Sequence, residues 1–143
     1  MTGIARIEPS AWVGALGRAK ADGFAMLDVL TGVDRGEQVE VIARVVDPTT
    51  ADARMLSTLV VDRIDSATPV YPGAAWHERE TAEMYGIAFS GLADPRPLLL
   101  REPVAAPPLR KRVLLEARIE REWPGSGGSR RTRPLGVPAE GQR

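Results

Sequence analysis

Eight of the twelve prolines stand at positions 95, 97, 103, 107, 108, 124, 134 and 138, in the last third of a chain of 143 residues. Proline fixes φ and removes a backbone donor, so it is excluded from helix interiors and central strands. Regular structure is therefore expected before residue 95, and extended, irregular chain after it. Gly125-Ser126-Gly127-Gly128-Ser129 adds a linker composition to that last third. The expected organisation is an α/β domain over residues 1–111 and an extended or flexible C-terminal arm with a basic tail over 112–143. Within the arm, Val113 to Trp123 reads equally as a helix or as an extended run.

The length fits one domain. Hydrophobic residues make up 43% and aromatics only 5%, which allows one modest, mainly aliphatic core. Basic and acidic side chains balance at 19 each, but unevenly along the chain. Arg130, Arg131, Arg133 and Arg143 oppose only Glu140 in the tail, leaving the body mildly acidic. A nucleic-acid binder would spread basic residues over a folded face, so no nucleic acid is expected. With no cysteine and one histidine, thiolate-bound clusters, cysteine zinc sites, disulfides and multi-imidazole centres are excluded. No apolar run suits a signal peptide or a bilayer span. The expected location is cytoplasmic, with any membrane contact made through a partner.

Local patterns predict the elements. Ser10 reads as an N-cap for a helix ending at Gly23, with Trp12 and Leu16 on one face. Phe24 to Thr31 reads as a buried strand with Asp28 as its odd member, followed by a turn at Asp34-Arg35-Gly36. Val39, Val41, Ala43 and Val45 alternate with Glu40, Ile42, Arg44 and Val46, a β period. These two strands are expected to form an antiparallel hairpin, with a third strand over Met55 to Asp62. Pro72 suits the first turn of a helix over Ala74 to Tyr85 that Gly86 stops. Trp76 and Met84 are its expected buried contact, and Arg79 and Glu83 an i, i+4 ion pair. The resulting fold class is α+β: a small mixed or antiparallel sheet, packed helices and an extended Pro-rich C-terminal arm.

The densest chemistry is Trp76-His77-Glu78-Arg79-Glu80-Thr81-Ala82-Glu83-Met84-Tyr85-Gly86. One histidine on a helix brings too few ligands together for a metal. Glu80 and Glu83 as general acid and base would need a pocket. The simpler reading is a helix whose charges form a partly buried ion-pair network fixing the loops around it. Gly125 to Gly128 lacks the Gly-Lys-Ser/Thr ending of a phosphate loop. Pro108-Leu109-Arg110-Lys111-Arg112 reads as a basic contact patch or an exposed turn.

The order of these blocks resembles the C-type subunit of proton-translocating NADH-quinone oxidoreductase, the thirty-kilodalton subunit family of respiratory complex I. Glu78-Arg79-Glu80, Glu83 and Gly86-Ile87 match the family's helix. Tyr71-Pro72-Gly73 resembles its entry, and Trp76 sits at an aromatic position. Phe89, Gly91, Asp94 and Arg96 match the block that follows, where Leu92 replaces a histidine and Pro97 a second arginine. Pro108-Leu109-Arg110-Lys111 is intact but continues as Arg112-Val113-Leu114. Leu27 to Asp34 is similar to a family strand. The resemblance covers about residues 10 to 123 and is specific in 71–111.

The resemblance implies a structural subunit in the peripheral arm of a quinone-reducing complex, on the cytoplasmic side of the membrane. It implies no catalytic, cofactor or metal residues on this chain. Iron–sulfur clusters, FMN, NADH and quinone would belong to partner subunits, and the activity to the complex. The main partner would be the larger, D-type subunit that helps form the quinone site. Family-motif residues with structural roles are then Glu78, Arg79, Glu80, Glu83, Gly86, Gly91, Asp94 and Arg96. Arg110, Lys111 and Trp123 are candidate partner contacts. The departures leave room for the equivalent subunit of a membrane-bound nickel–iron hydrogenase-like complex. From chemistry alone, a small hydrolase using Glu80 and Glu83 is the third reading.

Overall fold

Val39, Val41, Ala43 and Val45 turn four fully buried side chains to one face of a central strand, and the rest of the fold is built against that face. A computed structural model describes residues 3–102 and 104–113. Its elements in chain order are β1 (Ile4–Arg6), a 3-10 turn (Pro9–Ala11), α1 (Trp12–Ala21), β2 (Met26–Asp34), β3 (Val39–Val46), β4 (Ala53–Val60), β5 (Arg63–Asp65), α2 (Ala74–Tyr85) and β6 (Ala88–Ser90). The main sheet has the order β1-β4-β3-β2. β3 pairs antiparallel with both β2 and β4, while β1 pairs parallel with β4, so the sheet is mixed. β5 and β6 form a second, two-stranded parallel sheet.

The core joins the valines of β3 to Trp12 and Leu16 of α1, Leu30 of β2, Leu56 and Val60 of β4, and Phe89 of β6. Each such large side chain removed from water stabilises by about 1.5–3 kcal/mol. Trp12, Ala15, Leu16 and Ala19 are the buried stripe of α1, which includes the expected Trp12–Leu16 pair. Gly23, at φ 104°, turns the chain out of the helix, a backbone angle that glycine adopts freely.

Several boundaries differ from expectation. Ser10 lies inside the 3-10 turn and makes no side-chain cap, because Pro9 starts the tighter turn one step earlier. β2 begins at Met26 and runs to Asp34. Phe24 and Ala25 are spent on the helix exit, where Phe24 N–H donates to Ala19 and the Arg54 guanidinium covers the Phe24 ring at 4.3 Å. Only the second half of β2 is buried, since α2 lies over that half. A register shift between Leu27 and Val29 sets Asp28 apart, and its carboxylate pairs with Arg44. β4 ends at Val60, two residues early, and Ala88 N–H then donates to the Asp62 carbonyl.

α2 spans the expected residues and closes on Gly86, whose φ of 71° gives a left-handed C-cap. Gly32 permits its approach to the sheet: a Cβ there would lie 2.7 Å from Tyr85 Cδ2. The expected buried contact through Trp76 is corrected. Trp76 is 63% exposed, because the buried stripe of α2 runs through Ala74, Glu78 and Thr81 instead. Ala82 and Tyr85 supply the apolar contact. After Ser90 the described chain holds no helix or strand, in keeping with its prolines. Residues 114–143, including Trp123 and most of the 112–143 arm, lie outside the described residues. Among the described residues no helix is long and apolar enough to cross a membrane.

Candidate functional site

α2 carries its charged side chains at positions that reach three separate stretches of backbone. Glu78 is 0% exposed and points into the body. Its Oε1 accepts from the Ala67 N–H at 2.6 Å and its Oε2 from the Ser66 hydroxyl at 2.6 Å. The Ser66 hydroxyl lies 2.6 Å from that of Thr68 and accepts from the Thr68 N–H, so one buried carboxylate orders the turn leading into α2. Burial pushes the Glu78 carboxyl up, and the donors from Ser66 and Ala67 only partly offset it.

Arg79, the next residue, and Glu83, over a turn further on, hold the proline-rich chain from two sides. Arg79 Nε donates to the Arg96 carbonyl and Nη2 to the Pro97 carbonyl, both at 2.9 Å. Nη1 also lies 3.4 Å from Asp94. Glu83 accepts from three consecutive amides, Leu98 at 3.2 Å, Leu99 at 2.8 Å and Leu100 at 2.9 Å. Burial alone would raise the Glu83 carboxyl. The amides of Leu99, Leu100 and Leu98 outweigh it, with help from the Arg79 charge, and hold it below its ordinary value. Prolines at 95 and 97 cannot donate, so the carbonyls go to the guanidinium and the free amides that follow go to the carboxylate. Asp94 is held bidentately by Arg96 at 2.7 and 2.8 Å, and that bond keeps its carboxyl far below the usual range.

This arrangement corrects the expected Arg79–Glu83 ion pair. Each charge takes backbone partners in 96–100, and charge-assisted bonds to several such groups outcompete one exposed pair. Glu80 is exposed and, among the described residues, takes no hydrogen bond or ion pair. Gly86 and Gly91 both sit at positive φ, 71° and 87°. A Cβ on Gly86 would also lie 2.5 Å from Pro107 Cγ, so this glycine serves both the cap and the returning chain.

That returning chain is fastened at the far end of the sheet. Leu109 N–H donates to the Met84 carbonyl. Arg110, read above as a partner contact, is only 6% exposed and turns inward. Its Nη1 lies 3.0 Å from Asp34 Oδ1 and also meets the Gln38 carbonyl. Asp34 Oδ2 accepts from the Lys111 N–H at 2.7 Å. That amide, then Arg110 and the Gly36 amide, overcome burial and lower the Asp34 carboxyl. Arg110 thus crosses 76 residues of sequence to lock the β2–β3 hairpin. The Lys111 side chain is exposed. No sequence signal marks Asp34, Ser66 or Ala67 as the partners of these groups.

Chemically, the site is a set of clamps. Glu83 has its lone pairs filled by amides, and its lowered proton affinity is opposite to what a general base at neutral pH uses. Among the described residues no group of three or more metal-ligating side chains converges.

The decisive likeness is over length. Residues 5–118 match the family model described as respiratory-chain NADH dehydrogenase, 30 Kd subunit. The chain belongs to this family. The C-type subunit of the NADH-quinone oxidoreductase of Rhizobium johnstonii is 38% identical over 95 residues, covering 62% of this chain and 47% of the relative. The same protein of Brucella ovis is 35% identical over 103 residues, covering 68% and 50%. The chain therefore spans about half the length of the curated 30 Kd relatives it matches. Among solved structures, a trypsin-resistant fragment (1-134) of Nqo5 superposes with a TM-score of 0.54 at 23% identity, covering 64% of this chain and 80% of that one. A chain of a membrane-bound sulfane sulfur reductase, an archaeal respiratory membrane complex, gives 0.58 at 20%, covering 62% and 56%. At those identities the two structures share the α+β fold of the 30 Kd family, and the fold is what the likeness establishes.

Proposed function

We propose that this chain is a non-catalytic structural subunit of the peripheral arm of a proton-translocating NADH-quinone oxidoreductase. In this reading it supports a larger, D-type partner near the quinone site on the cytoplasmic side. Iron–sulfur clusters, FMN, NADH and quinone reside in the partner subunits. The observation that carries the reading is the saturation of the motif helix. Glu78 and Glu83, two of the three carboxylates in a block that resembles a family signature, accept from the chain's own donors and shape its loops. Glu80 is exposed, outside any enclosed pocket that acid–base work would need. The absence of cysteine accords with clusters held elsewhere. Residues 112–143 serve in this proposal as an arm laid on the partner, with Trp123 as a contact of the arm and Lys111 as a contact at the edge of the domain before it.

The test is affinity purification of the tagged full chain from solubilised membranes of its native host, with the accompanying proteins identified. Recovery with iron–sulfur, flavin and membrane subunits is expected. Recovery alone contradicts the proposal. Recovery with hydrogenase subunits, and without flavin or nucleotide-binding partners, replaces it with the membrane-bound nickel–iron hydrogenase-like complex.

A further inference from the structure

The face of the sheet turned away from the helices carries an uneven charge cluster that the clamps of α2 do not use. Glu40 of β3 is buried, 4% exposed, on that face. Arg35 donates to its Oε2 through Nε at 2.9 Å and Nη2 at 2.7 Å. Arg6 of β1 donates to its Oε1 at 3.2 Å. Two guanidinium groups thus share one carboxylate, leaving one positive charge in excess. Both arginines remain open to solvent, with side chains 64% and 54% exposed. Each also keeps N–H groups that make no bond among the described residues. Glu8 and Glu37 lie close in sequence but form no ion pair with either arginine among the described residues.

The cluster sits in a hollow of about 490 Å³ lined by Ile4, Arg6, Arg35, Glu40, Ile42 and Ser57. Ser57 is 1% exposed. Its hydroxyl lies near enough to Glu40 to help lower that carboxyl, yet completes no hydrogen bond of ordinary geometry among the described residues. With guanidinium N–H groups of Arg6 and Arg35 left over, the hollow is incomplete as a hydrogen-bonded site. Ile4, half exposed at its mouth, and Ile42 give the walls an apolar character.

We propose that this hollow receives a carboxylate side chain of the polypeptide on which this chain docks. The inference rests on the structural-subunit reading above, which supplies the partner. Charge complementarity selects the occupant. An acidic side chain accepts from the free guanidinium N–H groups of Arg6 and Arg35, balances the positive charge that Glu40 alone leaves in excess, and leaves its aliphatic stem against Ile4 and Ile42. A basic segment is repelled at the same point.

The test uses the full chain carrying Arg35→Lys or Arg6→Lys, each of which keeps the charge and adds a reactive amine at a solvent-facing position. The complex is purified from native membranes, treated with a zero-length carbodiimide, and mapped by mass spectrometry. The expected result is a cross-link from position 6 or 35 to an Asp or Glu of another subunit. Wild-type chain gives no such link at these positions. Arg6→Gln, which removes the surplus charge and leaves Arg35 donating to Glu40, is expected to lower retention in the complex at least tenfold, with an unchanged circular dichroism spectrum. An intact complex whose only link runs to Glu40, or that shows no link, overturns this inference and leaves the structural-subunit reading standing. A chain recovered without any complex overturns both.

Discussion

A carboxylate cut off from water persists only where other donors replace the water, and Glu78 has two, Ser66 Oγ and Ala67 N–H. Glu78→Ala leaves both unsatisfied and opens a cavity between α2 and the Ser66–Thr68 turn. A loss of about 2–4 kcal/mol is expected, read from urea unfolding. Glu80→Ala, at a side chain with no partner to lose, is expected within about 0.5 kcal/mol of wild type in the same assay. Glu78 also sets a pH dependence. Its carboxyl is raised in the folded state, so the native protein holds the proton longer than the unfolded chain. Stability from this group is therefore greatest below the ordinary value of 4.5 and declines as pH rises through the window above it. Glu78→Gln does not titrate, so the stability gap between wild type and this variant is expected to narrow from pH 4 to 7. Asp34, Glu40 and Glu83 act in the opposite sense: their carboxyls are lowered, and their contribution is lost on acidification below the ordinary carboxylate range. A gap that widens toward pH 7 would contradict the assignment for Glu78.

At the scale of elements, α2 holds irregular chain that cannot hold itself. Prolines deny 95–108 any ladder, so its order depends on Arg79, Glu83 and Gly86. Glu83→Ala is expected to speed hydrogen exchange at the Leu98, Leu99 and Leu100 amides by about tenfold or more, leaving the amides of β3 protected. Gly86→Ala forces an alanine to φ 71° and drives its Cβ against Pro107. The expected signature is faster exchange at Leu109, whose N–H reaches Met84, and a loss of about 1–2 kcal/mol from the backbone angle alone. Uniform loosening of the sheet in either variant would mean that the clamps belong to the core and not to the loop.

Over the whole molecule, periodic signals were the legible ones. β3 and α2 match the spans read from alternation, from Pro72 and from Gly86, because those patterns are local and one-dimensional. The boundaries that moved were set by tertiary neighbours. β2 lost Phe24 and Ala25 to the α1 exit and gained Gly32, Val33 and Asp34 beneath α2. The motif helix was visible as a cluster of charges, but its partners were not: Arg110 meets Asp34 across 76 residues, and Glu83 meets amides that carry no side-chain signature. Trp76 misled because an aromatic beside an apolar stripe reads as core, while the helix turns its buried stripe elsewhere.

In the proposed function the acidic helix holds structure and does not perform chemistry. This is tested most directly by the NADH:quinone turnover of the assembled complex carrying Glu80→Gln and Glu83→Gln together, normalised to iron–sulfur cluster content. Less complex is expected to be recovered, because the 98–100 clamp is weakened, with a turnover per assembled complex equal to wild type. A loss of turnover by about a hundredfold, the scale of one missing general acid or base, in complexes with full cluster content would contradict it.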